Sequence, residues 1–241
     1  MAEMRGAIVT GAGAGIGQAV ALALAARGWR VTVCDVDGAA AARVAAEAGG
    51  DAVAAAADVT NEVALDDVMT RAAAVGPLGA VVHCAALFPR IDLAATGIAD
   101  FDRVMAVNLR AAVQISLRAT QAMPGGGALV FLTSGSGLMA AAADPFQRGF
   151  ALYGASKAAL DRWVAGVAPE LAEAGIFAST ITPGAFVETP GLARTGVTPP
   201  PGAATITAER VADAVVRLVE DRSGGFVGQR LSAAAFGEGW A

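Results

Sequence analysis

Ala7-Ile-Val-Thr-Gly-Ala-Gly-Ala-Gly-Ile-Gly17 is the stretch whose reading decides the fold: a short apolar run breaks into spaced glycines, and a helical pattern, 18–27, follows at once. A strand, a glycine-rich turn and a helix N-terminus in that order present free backbone amides and the positive end of a helix dipole, the setting for a pyrophosphate. Glycines also serve plain tight turns, so the weight lies in their placement between strand and helix. Gly11, Gly13, Gly15, Ile16 and Gly17 are therefore candidate cofactor contacts. No GKS or GKT follows, which excludes a nucleoside-triphosphate loop.

Outward from this turn the hydrophobic period alternates. Short β-branched or apolar runs at 7–10, 30–34, 52–57, 80–84, 128–133 and 176–181 are separated by helical patterns at 15–27, 38–48, 61–75, 100–122, 151–174 and 207–221. Strand-then-helix order calls for a parallel sheet with right-handed crossovers and helices on both faces. The expectation is α/β: a single-domain, Rossmann-type doubly wound sheet of about seven strands spanning 1–241. Pro and Gly cluster at 123–127, as a helix stop, and at 198–202, as a loop too short for a domain linker.

With 55% hydrophobic and 16% charged residues, the chain has material for a well-buried core. Its net charge of −5, without a Lys or Arg run, excludes nucleic-acid and membrane-surface partners. Cys34 and Cys84 form no CxxC and have no histidine at ligand spacing, so neither a disulfide framework nor a metal site is expected, and a reducing compartment fits. The first residues lack a signal-peptide pattern and no run is long enough to span a membrane; the expectation is a soluble, cytoplasmic protein.

Two further features carry chemistry. Asp35 follows the second strand about twenty residues past the glycines, where a carboxylate accepts from both adenosine ribose hydroxyls and repels a 2′-phosphate. The nearest downstream cation, Arg43, falls well into the next helix, so NAD is expected rather than NADP; the plainer reading is that Asp35 or Asp37 only caps that helix. Tyr153 and Lys157, four apart in a helical stretch, share a face. A cation beside a phenol favours the phenolate and can make a general base near neutral pH. A lysine stem packed on a ring is the structural alternative.

Taken in order, these motifs resemble the short-chain dehydrogenase/reductase family over nearly the whole chain. Thr10 to Gly17 is similar to its TGxxxGIG turn, Asp58-Val59 to the pair at the adenine, Asn108 to its helix asparagine, Ser134 to its serine, and Tyr153 with Lys157 to its YxxxK pair. Pro183-Gly184, Val187 and Thr189 match the segment beside the nicotinamide, and Cys84-Ala85 the backbone that lines the cofactor. The resemblance implies that Tyr153 exchanges a proton with the substrate oxygen while hydride moves between substrate carbon and nicotinamide. It further implies that Lys157 lowers the Tyr153 pKa and holds the ribose, that Ser134 bonds the substrate oxygen, and that Asn108 anchors a water. A homotetramer or dimer built on 100–122 and 151–174 is implied too.

The pattern departs in places. His83-Cys84-Ala85-Ala86 replaces the family's NNAG; His83, the only histidine, is expected to be satisfied inside the sheet and Cys84 to be a small packed residue. Ser134 and Tyr153 lie 19 residues apart, wider than usual, which places an insertion at 140–149, either with Phe146 or Phe150 as a pocket wall or as a surface excursion touching a neighbouring subunit. Leu87, Phe88, Met139, Phe186 and Leu192 give an apolar lining with Arg90 as the one nearby cation; a short lid, 190–204, suggests an open cleft, and 226–231 resembles a last strand. The expected activity is NAD-dependent oxidation or reduction of an apolar or cyclic secondary alcohol or ketone. Its rivals are an epimerase or dehydratase and a non-catalytic NAD sensor or scaffold on the same fold.

Overall fold

The computed structural model describes residues 5–74, 76–138 and 147–240. Met139 and most of the expected 140–149 insertion, Phe146 included, lie outside the described residues. In chain order the elements are β1 (Gly6–Thr10), α1 (Gly15–Ala26), β2 (Arg30–Asp35), α2 (Gly38–Ala48), β3 (Val53–Ala56), α3 (Glu62–Ala74), β4 (Leu78–His83), α4 (Ile98–Met105), α5 (Ala111–Ala122), β5 (Gly127–Leu132), α6 (Ala151–Glu173) and β6 (Ile176–Thr182). Then follow β7 (Phe186–Val187), α7 (Pro190–Arg194), β8 (Thr205–Ile206), α8 (Ala208–Glu220) and β9 (Arg230–Ser232).

Seven strands form one parallel sheet in the order β3-β2-β1-β4-β5-β6-β9, and β7 pairs with β8 as a small ribbon. Successive side chains of a strand face opposite sides, so β1 sends Ala7 and Val9 into a core beneath α1, α2 and α8, and Ile8 into a second core beneath α3, α5 and α6. Helix α8 shows how the pattern is made: Val211, Val215, Leu218 and Val219 recur at i, i+4, i+7 and i+8 and are all buried. Each such side chain contributes about 1.5–3 kcal/mol on burial. Strand order reverses between β1 and β4, and a ligand crevice is expected where those two strands end.

Two expectations need correction. The span 100–122 is not one helix but α4, a π-turn over Ala106–Arg110, and α5. Asn108 sits in that turn at 0% exposure, and hydrophobic period cannot register a one-residue slip that puts a polar side chain inward. The last strand is not 226–231: β9 starts at Arg230, because the Gln229 amide closes a turn on the Phe226 carbonyl at 3.1 Å and the Phe226 ring packs against Trp240, 5.5 Å between centroids.

Candidate active site

A cavity of about 1700 Å³ opens along the C-terminal ends of the strands. Every expected site residue lines it except Asn108 and Lys157, which lie behind its wall at 0% and 2% exposure. The glycine turn is built by close approach. A Cβ on Gly17 would sit 2.1 Å from the Gly11 carbonyl, one on Gly11 would meet the Ala85 backbone at 2.6 Å, and Gly11 and Gly15 hold φ of 64° and 59°. Ala14, the residue before α1, makes no side-chain cap, so the first amides of that helix face the cavity free of a side-chain partner.

Asp35 stands on the same wall. Its Oδ2 accepts the Gly13 amide at 2.8 Å and its Oδ1 the Asp37 amide at 3.0 Å, while the cap of α2 is Asp37, whose Oδ1 accepts from Ala39 and Ala40. Arg43 is nearer than its place in the helix suggests: its Nη2 donates to the Gly13 carbonyl at 2.7 Å, and its Nη1 lies 3.6 Å from Glu47. Farther along, Asp58 Oδ1 accepts from the Thr60 amide and hydroxyl at 2.9 and 2.8 Å, which shapes the bend where Val59 is buried. Thr189 caps α7 by accepting the Leu192 amide at 3.2 Å.

The candidate catalytic residues lie together at the far end. Ser134 follows β5, accepts the Ser136 amide at 3.2 Å, and its hydroxyl bonds the Tyr153 phenol. Arg230, which sequence reasoning missed, holds this corner: Nη2 donates to the Ser134 carbonyl at 2.9 Å and Nε pairs with Asp161 at 3.0 Å. Its only sequence signal was a place in the expected last strand. Asn108 uses Oδ1 to accept the Leu87 amide at 2.7 Å, and both amide protons to donate to the Leu87 carbonyl and Ser156 Oγ, each at 2.9 Å. Its side chain is spent on these contacts.

The electrostatics differ from the expectation of a phenolate near neutral pH. Burial pushes the Tyr153 pKa up to about 12, and the Ser134 hydrogen bond offsets only part of that. Lys157 Nζ lies 5.8 Å from the Tyr153 ring centroid and donates to the Leu132 carbonyl at 2.7 Å; burial pulls its pKa down to about 8, against the opposing pull of Cys84 and Asp161. Burial likewise raises both thiols to about 12, so Cys34 and Cys84 stay protonated.

On the substrate side Leu87, Phe88, Phe186 and Leu192 line the cavity as expected, but Phe150 does not. It is 1% exposed and stacks beneath Phe88, 4.9 Å between centroids at 19°, while Phe88 tilts over Tyr153 at 4.3 Å. Phe88, not Phe150, presents its ring to the cavity beside Tyr153. The cations lining the cavity are Arg103, Arg110, Arg194 and Arg230, whereas Arg90 is absent from the lining. Among the described residues no helix is long and apolar enough to cross a membrane.

Comparison with known proteins agrees with this geometry. Residues 5–197 match the family described as short chain dehydrogenase. The (3R)-3-hydroxyacyl-CoA dehydrogenase of Rattus norvegicus is 33% identical over 196 residues, 76% of this chain and 74% of that protein. The galactitol 2-dehydrogenase (L-tagatose-forming) of Cereibacter sphaeroides is 37% identical over 183 residues, covering 74% and 70%. Among solved structures, a 7α-hydroxysteroid dehydrogenase complexed with NADH and 7-oxo glycochenodeoxycholic acid superposes with a TM-score of 0.85 at 28% identity, over 95% of this chain and 92% of that one. With a parallel sheet reversing at β1 and β4, a glycine turn on one side of the crevice and Ser134 beside Tyr153 on the other, the chain belongs to the short-chain dehydrogenase/reductase family.

Proposed function

We propose that the protein is an NAD-dependent dehydrogenase or ketone reductase acting on an apolar or cyclic secondary alcohol or carbonyl. The observation that carries this reading is that Tyr153 and Ser134 open into the same cavity as the glycine turn and Asp35. The residues fit a dinucleotide: Gly13 leaves room where a Cβ would stand 2.9 Å from the Asp35 carboxylate, and the first turn of α1 offers free amides to a pyrophosphate. Bound NAD supplies the hydride acceptor or donor.

The chain's own groups do the rest. Two backbone amides fix Asp35 and leave its outer lone pairs for ribose hydroxyls, and its charge opposes a 2′-phosphate. Arg43 is engaged with Gly13 and Glu47, which supports NAD over NADP. Asp58 and Val59 border the adenine end, Cys84 and Ala85 the middle, and Pro183, Gly184, Val187 and Thr189 the nicotinamide end. Ser134 donates to the substrate oxygen, Tyr153 exchanges a proton with it, Lys157 supplies positive charge behind the phenol, and Asn108 fixes the neighbouring backbone. Exposed Ile98, Phe101 and Leu117 on α4 and α5 support self-association, which light scattering on the eluting peak tests.

Purified protein mixed with NAD and a panel of secondary alcohols is expected to raise absorbance at the reduced-nicotinamide band. Tyr153→Phe should abolish that signal while NAD affinity stays within about twofold, because the hydroxyl acts only in proton transfer. NAD binding without turnover across the panel would refute the enzyme reading.

A further inference from the structure

His83 is the only histidine in the chain and is 1% exposed at the end of β4, and the chemistry proposed above gives it no task. One side of the ring is fixed. Thr10 Oγ1, at the end of β1, lies 2.8 Å from His83 Nδ1 and also accepts the Ala85 amide at 3.3 Å. The Thr10 hydroxyl can give its one proton to Nδ1, and the tautomer of the ring follows from that direction. A neutral imidazole that accepts at Nδ1 carries its own proton on Nε2. The ring is neutral because burial first, and the Lys157 charge second, push its pKa down to about 3.

The other side of the ring is unfinished. Nε2 is buried without a hydrogen bond of ordinary geometry. The Val107 backbone acts on the ring and favours its protonated form. Val107 is the second residue of the π-turn and precedes Asn108; here the Ala111 amide reaches back five residues to the Ala106 carbonyl, so the ordinary helical ladder slips by one. Beyond Asn108 the chain of contacts continues to Ser156 Oγ at 2.9 Å, and Ser156 donates to the Tyr153 carbonyl at 2.7 Å.

We propose that His83 is a positioning residue whose Nε2–H is aimed at the Val107 carbonyl, tying β1 through Thr10 to the π-turn and so holding Asn108 and α6 in register with the glycine turn. It touches neither substrate nor cofactor. The consequence for rate rests on the dehydrogenase reading; the geometry of the ring does not.

Because there is a single histidine, selective nitrogen-15 labelling gives one imidazole to read. At pH 7 the wild-type ring is expected to be neutral and protonated on Nε2; a ring protonated on Nδ1, or a charged one, overturns the proposal. His83→Leu is expected to lower kcat about tenfold or more with KM for NAD and alcohol within about twofold, and to speed hydrogen exchange of amides 106–111 while leaving 127–132 unchanged. His83→Asn, which restores a donor, should recover most of both losses. Wild-type kcat in His83→Leu, or an equal loss in His83→Asn, overturns the proposal. Should His83→Leu fail to accumulate, Thr10→Val, which removes the partner of Nδ1 at constant volume, is expected to perturb the ring nitrogens and the same six amides; unchanged signals there overturn the proposal too. A wild-type protein that binds NAD but turns over no alcohol would refute the enzyme reading alone, since the tautomer and exchange measurements still decide the role of His83.

Discussion

Tyr153 is the only tyrosine in the chain, so the absorbance of ionised phenol near 295 nm reports on one group. Its pKa is pushed up to about 12 and that of Lys157 down to about 8, so on raising the pH of the cofactor-free protein the amine gives up its proton first. The four-unit gap between these values makes phenol with neutral amine more stable than phenolate with ammonium by about 5.4 kcal/mol, at 1.36 kcal/mol per unit. With the 5.8 Å from Nζ to the ring centroid taken as the separation, and an effective dielectric of about 20, attraction within the charged pair returns about 2.9 kcal/mol. Roughly half of the gap is left for the bound ligands to supply. In a pH-jump titration read before the protein unfolds, the cofactor-free midpoint is expected above pH 11, and Lys157→Met should leave it within about half a unit, because the amine is already neutral there. Saturating NAD should lower the midpoint by two units or more in the wild type and by less in Lys157→Met. A cofactor-free midpoint below pH 10 would refute the reasoning, since it would mean that Lys157 outweighs burial without any ligand.

Three other outcomes follow from named contacts. Phe88→Ala removes the ring between Phe150 and the cavity and should shift kcat/KM toward bulkier alcohols on the order of tenfold; unchanged preference across a size series would remove Phe88 from the substrate wall. Asp35→Ser should raise the NADP-to-NAD ratio of kcat/KM at least about tenfold, measured with both cofactors, by removing the charge that opposes a 2′-phosphate. His83, neutral when folded and ordinarily titrating near 6.5, binds its proton in the unfolded chain first as pH falls; its contribution is whole above pH 6.5 and is lost progressively toward pH 3. At pH 4.5, two units below 6.5, the loss is about 2.7 kcal/mol. Urea unfolding at pH 7.5 and 4.5 should show it in wild type but not in His83→Asn, a comparison that cancels the lowered Asp66 and Asp221; equal acid sensitivity in both would count against it.

Most of the architecture was legible because its cause is periodic. Strands buried on both faces read as continuous apolar runs, and α8 carries its stripe at helical spacing, so six strands and the helices between them fall within two residues of their expected ends, save the span 100–122. That span hid its π-turn because the slip is one residue long and is caused by a tertiary contact, Asn108 bonding the Leu87 backbone 21 residues away. The last strand was misplaced because Phe226 looks like a strand residue until Trp240, 14 positions later, claims its ring. At the site, a motif could name candidate residues, whereas Arg230, the Phe88 ring over Tyr153, and the reach of Arg43 to Gly13 depend on which side chains meet across the fold. Spacing along one helix could say that Tyr153 and Lys157 share a face. It could not say that both would be buried, and burial reverses the sign of the expected shift at Tyr153.

That reversal has a physical use. A phenolate and an ammonium held apart from water are costly unless other charges and donors complete their surroundings. Tyr153 meets the Ser134 hydroxyl and the Phe88 and Phe150 rings, with Lys157 Nζ 5.8 Å from its ring centroid, and Lys157 gives a hydrogen bond to the Leu132 carbonyl. Neither group is poised for proton transfer. The rigid parts lie elsewhere: Asn108 is held by three side-chain hydrogen bonds, Arg230 ties Ser134 to α6 through Asp161, and Thr10 fixes one side of His83. The backbone of the site is thus organised in advance while its charges are not. Binding therefore has to change protonation more than shape, so a Tyr153 titration should respond to NAD far more than backbone hydrogen exchange in β5 and β6 does.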